Sequence, residues 1–363
     1  LTQTMWGSVA DRAKNKVRVV AVMAAGIALA GALFLLADLP IIGVSGRITS
    51  AIIVLALVLL IFFQNPVQPL VDTLVLEYIR NEKLTIPFGR MRTWGTAAFA
   101  ACAYFAGLAI EATAMGIKII FWILIALMAV QLAALVLVPP IAGMQKKEDK
   151  TPVWSLFRDK WFTLILASSF VVAVGFGYHN FSYANYICNQ LGASESVVGI
   201  STSVQCILEI FLFIYMHKII KKTGILNLLL VCLVSGALRW LAMGTITSIP
   251  ILIGIQFFLH PFTWPIMLYV MSIYIQKTVP AHLNARGQTI ANMFLASVAR
   301  AVGSLGGGVL VEHFGDGAVP AIFTGLGLFT FVILFAVMML LRRWGWGFAR
   351  TPEALKLEEN TVI

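Results

Sequence analysis

Ile119-Ile120-Phe121-Trp122-Ile123-Leu124-Ile125-Ala126-Leu127-Met128-Ala129-Val130-Gln131-Leu132-Ala133-Ala134-Leu135-Val136-Leu137-Val138 contains one polar side chain, Gln131. About 20 mainly apolar residues in a helix cross the hydrocarbon of a bilayer. With Ile117 and Lys118 this run forms the stretch 117–138, and nine others resemble it: 19–37, 48–70, 93–110, 161–186, 196–216, 225–243, 250–275, 288–310 and 318–341. None shows the period-two alternation of an outer-membrane strand. A helix satisfies its own backbone hydrogen bonds in lipid, so the expected fold is an all-α membrane bundle. Composition agrees. Of 363 residues, 60% are hydrophobic and 12% charged, and mean hydropathy is +0.91. A soluble domain has about 45–50% apolar and about 25% charged residues. A soluble enzyme and a disordered chain are thereby excluded.

The net charge of +10 would suggest nucleic acid if the basic residues were clustered on one surface. Instead they alternate with the spans. The segments 1–18, 78–92, 140–160, 217–224, 276–287 and the end from 342 hold 22 Lys and Arg residues, whereas 38–47, 110–118, 187–195, 244–249 and 311–317 hold Arg47 and Lys118. Such asymmetry is the positive-inside signal, and it places the first set and the C-terminus in the cytoplasm. Cys102, Cys188, Cys206 and Cys232 are scattered without a CxxC pair, so neither a disulfide framework nor a metal site is expected. The hydrophilic linker 140–160, with Lys146-Lys147-Glu148-Asp149-Lys150, separates an N-terminal half, 1–139, from a C-terminal half, 161–341, followed by a tail, 342–363. Spans starting near 19, 48, 93 and 117 recur near 225, 250, 288 and 318, an offset of about 200 residues that leaves the spans 161–186 and 196–216 without earlier partners. A parallel repeat of six and six spans is therefore expected, with ten of an inferred twelve present and the first two preceding Leu1.

Gly7-Ser8-Val9-Ala10-Asp11-Arg12-Ala13-Lys14-Asn15-Lys16 resembles the loop signature G-x-x-x-D-[RK]-x-G-[RK]-[RK] of the major facilitator superfamily, with Lys14 where a glycine is usual. The resemblance implies a gate role for Gly7, Asp11 and Arg12. Pro87-Phe88-Gly89-Arg90-Met91-Arg92-Thr93-Trp94-Gly95 is similar to the F-G-R-x-R-x-[FW]-G stretch of the lactose permease group of proton symporters and its phenylpropionate and nucleoside permease relatives. Pro69-Leu70-Val71-Asp72 resembles the group's P-x-x-[DE]. The likeness implies substrate contact through Asp72 and Arg92, while Glu77 and Arg90 read as surface charges.

In the second half, Glu209, Arg239 and His260 lie within apolar spans, where a charge at the centre costs about 2.5–3.5 kcal/mol on insertion scales and so needs a partner or water. Each also matches a functional position of the lactose permease group, which implies substrate binding or proton coupling. Thr263 stands where that group carries its coupling glutamate, and Phe257 where it carries a lysine, so a galactoside-type proton site is not expected. His179 and Arg300 are weaker candidates for the cavity lining. Gly303-Ser304-Leu305-Gly306-Gly307-Gly308 lacks the GK[ST] ending of a phosphate loop and reads as close helix packing. Arg342-Arg343-Trp344-Gly345-Trp346-Gly347-Phe348 reads as an interfacial anchor, and 351–363 as a mobile tail.

The functional expectation is a monomeric secondary active transporter in the bacterial inner membrane. It takes up a small organic solute (an aromatic acid, a nucleoside or a sugar-like molecule) by alternating access coupled to protons. No cofactor and no metal are expected, the energy source being the proton gradient, and nucleic acid is not a partner. Efflux by antiport on the same fold is the alternative. A membrane receptor is more remote, since no signalling domain is attached. No catalytic set such as GxSxG or a His-rich cluster argues for an enzyme. The topology is directly testable. In a background without native cysteines, Cys at Lys147 or Glu358 should resist an impermeant thiol reagent in intact cells, and Cys at Ser248 should react. The reverse pattern would overturn the orientation.

Overall fold

The computed structural model describes residues 2–37, 46–83, 88–142, 153–279 and 281–345. The charged run Lys146–Lys150, the tail from 346 and the side chains of Arg90 and Arg92 lie outside the described residues. Among the described residues, ten helical stretches are long and apolar enough to cross a membrane, as the hydrophobic runs predict. The chain divides into two compact units, Leu1–Arg92 with Leu108–Glu148, and Thr93–Gly107 with Asp149–Ile363.

The first unit contains α1 (Thr2–Arg12), α2 (Lys16–Ala37), α3 (Gly46–Gln64), α4 (Val67–Asn81) and, after α5 (Phe88–Ala112), which contributes to both units, α6 (Ile119–Val136). Packing centres on α2. Phe34 of α2 stacks on Phe121 of α6 at 4.5 Å, and Gly31 leaves room for Ile125. The side chains of α6 are at least partly exposed, and α3 buries Ala56 alone, which suits helices whose solvent is hydrocarbon.

Two readings of this region change. The segment 1–18 is not a loop. It is helical to Arg12, turns at Ala13–Asn15, and resumes at Lys16, where the Asn15 side chain accepts from Val17 N at 2.9 Å. Gly7, Asp11 and Arg12 therefore sit on α1. The span read as 48–70 also continues. Pro66 lacks the N–H a continuous helix would need and breaks α3 from α4, but it occupies a helix start, where that N–H is dispensable. The helix resumes through Asn81 and carries Asp72 and Glu77 with it.

The second unit contains the middle of α5 (Thr93–Gly107), α7 (Lys160–Asn185), α8 (Glu195–Thr223), α9 (Ile225–Thr245), α10 (Ile249–Leu259), α11 (Trp264–Thr278), α12 (Ala281–Asn292), α13 (Ala299–Phe314) and α14 (Val319–Arg343). Asp159 caps α7, accepting from Trp161 N at 2.9 Å and from the Tyr274 hydroxyl. Gly224, at φ +80°, turns α8 directly into α9 in a conformation that only glycine adopts without strain. The Lys160 ammonium lies 5.0 Å over the Trp344 ring, which itself meets Trp161 edge to face. Helices α7 and α9 are largely buried, and the main core surrounds them.

The span read as 250–275 is broken between α10 and α11 at His260–Thr263. Pro261 and Pro265 remove two donors from this stretch, and the chain turns through Thr263 at φ −102°, ψ −90°. The segment 276–287 is also more helical than a loop, α12 running from Ala281 into a π-helical turn at Met293–Val298.

The glycine-rich stretch packs helix against helix. A Cβ on Gly303 would collide with the Val174 carbonyl oxygen, and one on Gly307 with the Tyr178 ring. Gly306, on the other side, faces open space. Gly303→Val should therefore force α7 and α13 apart, at a cost of about 1–3 kcal/mol, and lower the unfolding midpoint of detergent-solubilised protein. Gly306→Val should leave it unchanged. Equal midpoints for the two variants would show that this crossing does not depend on the small side chain.

Candidate functional site

The second unit gathers five charged or ionisable groups that the sequence scatters over five spans. Arg239 is 0% exposed on α9. Its Nε–H donates to Gln256 Oε1 at 2.8 Å and its Nη1 to Thr263 Oγ1 at 3.3 Å. The planar guanidinium lies over Phe176 at 4.7 Å and over Trp240 at 4.8 Å, each a favourable cation–π arrangement. No carboxylate lies within 4 Å of it among the described residues, and its Nη2 has no acceptor there. Thr263 passes the interaction on by donating to the His260 carbonyl at 2.7 Å.

His179, on α7, joins the same cluster. Its Nε2 is 2.8 Å from Gln256 Nε2, and its ring stacks on Tyr183 at 4.6 Å. The Tyr183 hydroxyl is 2.5 Å from Ser201 Oγ on α8. His260, at the break, places Nε2 3.3 Å from Glu209 Oε2 on α8. These two side chains keep 11% and 13% of their surface exposed, so the pair is near the boundary of the described packing rather than sealed inside it. Arg300, on α13, lies 4.6 Å over Trp264, and Trp264 and His260 both meet Phe176 edge to face, at 5.2 and 5.8 Å. Phe176 is therefore the apolar centre about which the charged groups are arranged. The Nδ1 atoms of His179 and His260 and Nε of Arg300 make no hydrogen bond of normal geometry among the described residues.

The first unit holds a separate ionic site. Lys16, 3% exposed, lies 2.7 Å from Glu77 Oε1 and 3.5 Å from Asp11 Oδ1. Glu77 is not the surface charge that its place near a loop suggests. It is 12% exposed and paired, because α4 continues past Pro69. Asp11, the aspartate of the loop signature, thus meets a lysine. Asp72 accepts from Gln68 Nε2 at 2.9 Å on the same helix. The side chain of Arg92 is outside the described residues.

Gln256, Thr263, Lys16 and Glu77 were the participants that reading for charges in spans overlooked. Gln256 precedes His260 by four residues, one helical turn on the same face, and that spacing was the available signal. Thr263 was visible as a departure from the lactose permease pattern, though not as a ligand of Arg239.

A multi-pass helical bundle with buried cations and aromatic rings converging inside one half is the construction of a membrane solute carrier. Residues 1–319 match the MFS_1 like family, and the chain belongs to that family, within the major facilitator transporters. It is 24% identical over 275 residues to a probable 3-phenylpropionic acid transporter of Escherichia coli (strain K12), covering 72% of this chain and 70% of that one. It is also 24% identical over 358 residues to the maltose permease of Geobacillus stearothermophilus, covering 94% and 82%. Its fold is similar to the crystal structure of the nucleoside transporter NupG, with a TM-score of 0.69 at 18% identity over 94% of this chain and 86% of that one. The protein is a multi-pass membrane transporter of a small molecule.

The buried ion pair of the first unit yields a stability test. Lys16→Met leaves Glu77 buried without its cation, and the expected cost is about 3–5 kcal/mol. The double variant Lys16→Met/Glu77→Met should recover most of the lost unfolding midpoint. A single variant as stable as the native protein would show that the pair contributes nothing.

Proposed function

We propose that this transporter carries a small aromatic acid into the bacterial cytoplasm across the inner membrane, together with protons, by alternating access. The observation that carries the reading is Arg239, a fully buried guanidinium with an unfilled donor, flanked by aromatic faces and lacking a carboxylate partner among the described residues. A ligand carboxylate would supply the missing acceptor in a charge-assisted hydrogen bond. The rings of Phe176, Trp240 and Trp264 would supply contact for an aromatic body. A neutral nucleoside or sugar offers hydroxyls but no counter-charge. The E. coli relative's name, a probable 3-phenylpropionic acid transporter, is in keeping with this choice.

The proton is assigned to the Glu209–His260 pair. These groups face each other at 3.3 Å while retaining some exposure, so a proton can be exchanged there without opening the buried cluster. His260 is joined to the Arg239 site through Thr263, which gives substrate occupancy and protonation a shared element, the break between α10 and α11. Asp72 and Arg92 are assigned to substrate contact from the first half, and Asp11 and Arg12, with Gly7, to the gate.

Proteoliposomes test this reading with 3-phenylpropionate, uridine and maltose under an imposed pH gradient, alkaline inside. The acid should accumulate, a protonophore should abolish accumulation, and the two neutral solutes should not accumulate. Glu209→Gln should lose gradient-driven accumulation while retaining energy-independent counterflow of the acid. Preference for uridine or maltose would overturn the substrate class. Normal accumulation by Glu209→Gln would remove Glu209 from coupling.

A further inference from the structure

Gln256 is uncharged and does not titrate, yet its position restricts two groups that do matter to a ligand. The Nε–H of Arg239 can only donate, so the Gln256 atom 2.8 Å from it is the carbonyl oxygen. That fixes the orientation of the amide and turns its NH2 toward His179 Nε2, also at 2.8 Å. An amide NH2 can only donate, so His179 Nε2 must offer its lone pair. The single hydrogen of the neutral ring then belongs on Nδ1. A second proton on the ring would set N–H against N–H. The buried Nδ1–H makes no hydrogen bond of normal geometry, its neighbouring polar group being the Asn180 side chain, and Nη2 of Arg239 has no acceptor among the described residues. Both groups are held by one amide that is 1% exposed.

We infer that Gln256 is a positioning residue that locks His179 as the neutral Nδ1–H tautomer and, by taking Arg239 Nε–H, leaves Arg239 Nη2–H as the donor for a carboxylate. The ligand half rests on the aromatic-acid reading, whereas the tautomer half does not. His179 is thereby silent toward protons in this state. Arg239 on α9, His260 at the α10–α11 break and Arg300 on α13 are its ionisable neighbours, together with Tyr183 on its own helix, and α14 presents Phe323.

The test is nitrogen NMR of histidine-labelled protein in nanodiscs, with His179→Gln used for assignment. In the native protein, His179 should show a protonated Nδ1 and a bare Nε2 throughout about pH 5–8. Gln256→Leu should free the ring to exchange tautomers or titrate. Gln256→Glu presents acceptors to both partners and should convert His179 to the doubly protonated form. A native His179 with its hydrogen on Nε2, or one that titrates as it does in Gln256→Leu, would overturn the inference even if an aromatic acid is transported. The ligand half is read with phenylacetate and phenylacetamide as competing probes. Gln256→Glu should weaken phenylacetate by at least about tenfold, equivalent to about 1.4 kcal/mol, and phenylacetamide far less. Equal losses, or no binding of phenylacetate to the native protein, would overturn the carboxylate assignment while leaving the tautomer result standing on its own.

Discussion

Arg239 brings a permanent positive charge into a helical bundle whose surroundings are hydrocarbon, and the second half of the molecule is organised by that burial. The charge is not cancelled by a carboxylate among the described residues. It is distributed over an amide oxygen, a threonine hydroxyl and two aromatic faces. Three of the four features this needs come from other helices: Gln256 from α10, Thr263 from the break and Phe176 from α7. An isolated guanidinium in such a place is costly. A partly satisfied one keeps its protein folded and retains appetite for an anion.

The break between α10 and α11 follows the same logic. Irregular backbone at membrane depth is tolerated where protein or a water-lined cavity surrounds it. Here Thr263 accepts from Arg239 while donating to the His260 carbonyl, and His260 faces Glu209. In the proposed mechanism, a substrate that pulls on Arg239 would act on the segment that positions His260. One short non-helical segment touches both the Arg239 cluster and the Glu209–His260 pair. The Lys16–Glu77–Asp11 site of the first half uses charge differently, with a buried lysine pairing two carboxylates beside the turn from α1 to α2.

Much of the fold was legible because bilayer thickness imposes a length that apolar runs reveal. Ten spans were recoverable in this way, and the packing role of Gly303 followed from small residues within an apolar run. The breaks were harder. The stretch 48–70 ends by hydropathy just where Pro66 and Pro69 begin a new helix, so the burial of Glu77 beyond it does not show. Pro261 and Pro265 lie between strongly apolar flanks, so hydropathy smoothed over the discontinuity at His260. Arg239, Glu209, His260, His179 and Arg300 could be singled out as ionisable groups at depth. Their grouping could not, because it depends on how α7 to α13 pack in space. Gln256 escaped notice because it carries no charge, although its spacing from His260 put both on one face.

The central claim is that Arg239 is an anion receptor rather than a structural cation, and equilibrium binding tests it most directly. Tryptophan fluorescence, with Trp240 and Trp264 beside the site, can compare phenylacetate with phenylacetamide on the native protein and on Arg239→Gln. The account predicts that the native protein prefers the acid and that the variant loses this preference while still binding the ring weakly. Equal affinity of the native protein for acid and amide, or an undiminished preference for the acid in Arg239→Gln, would contradict it.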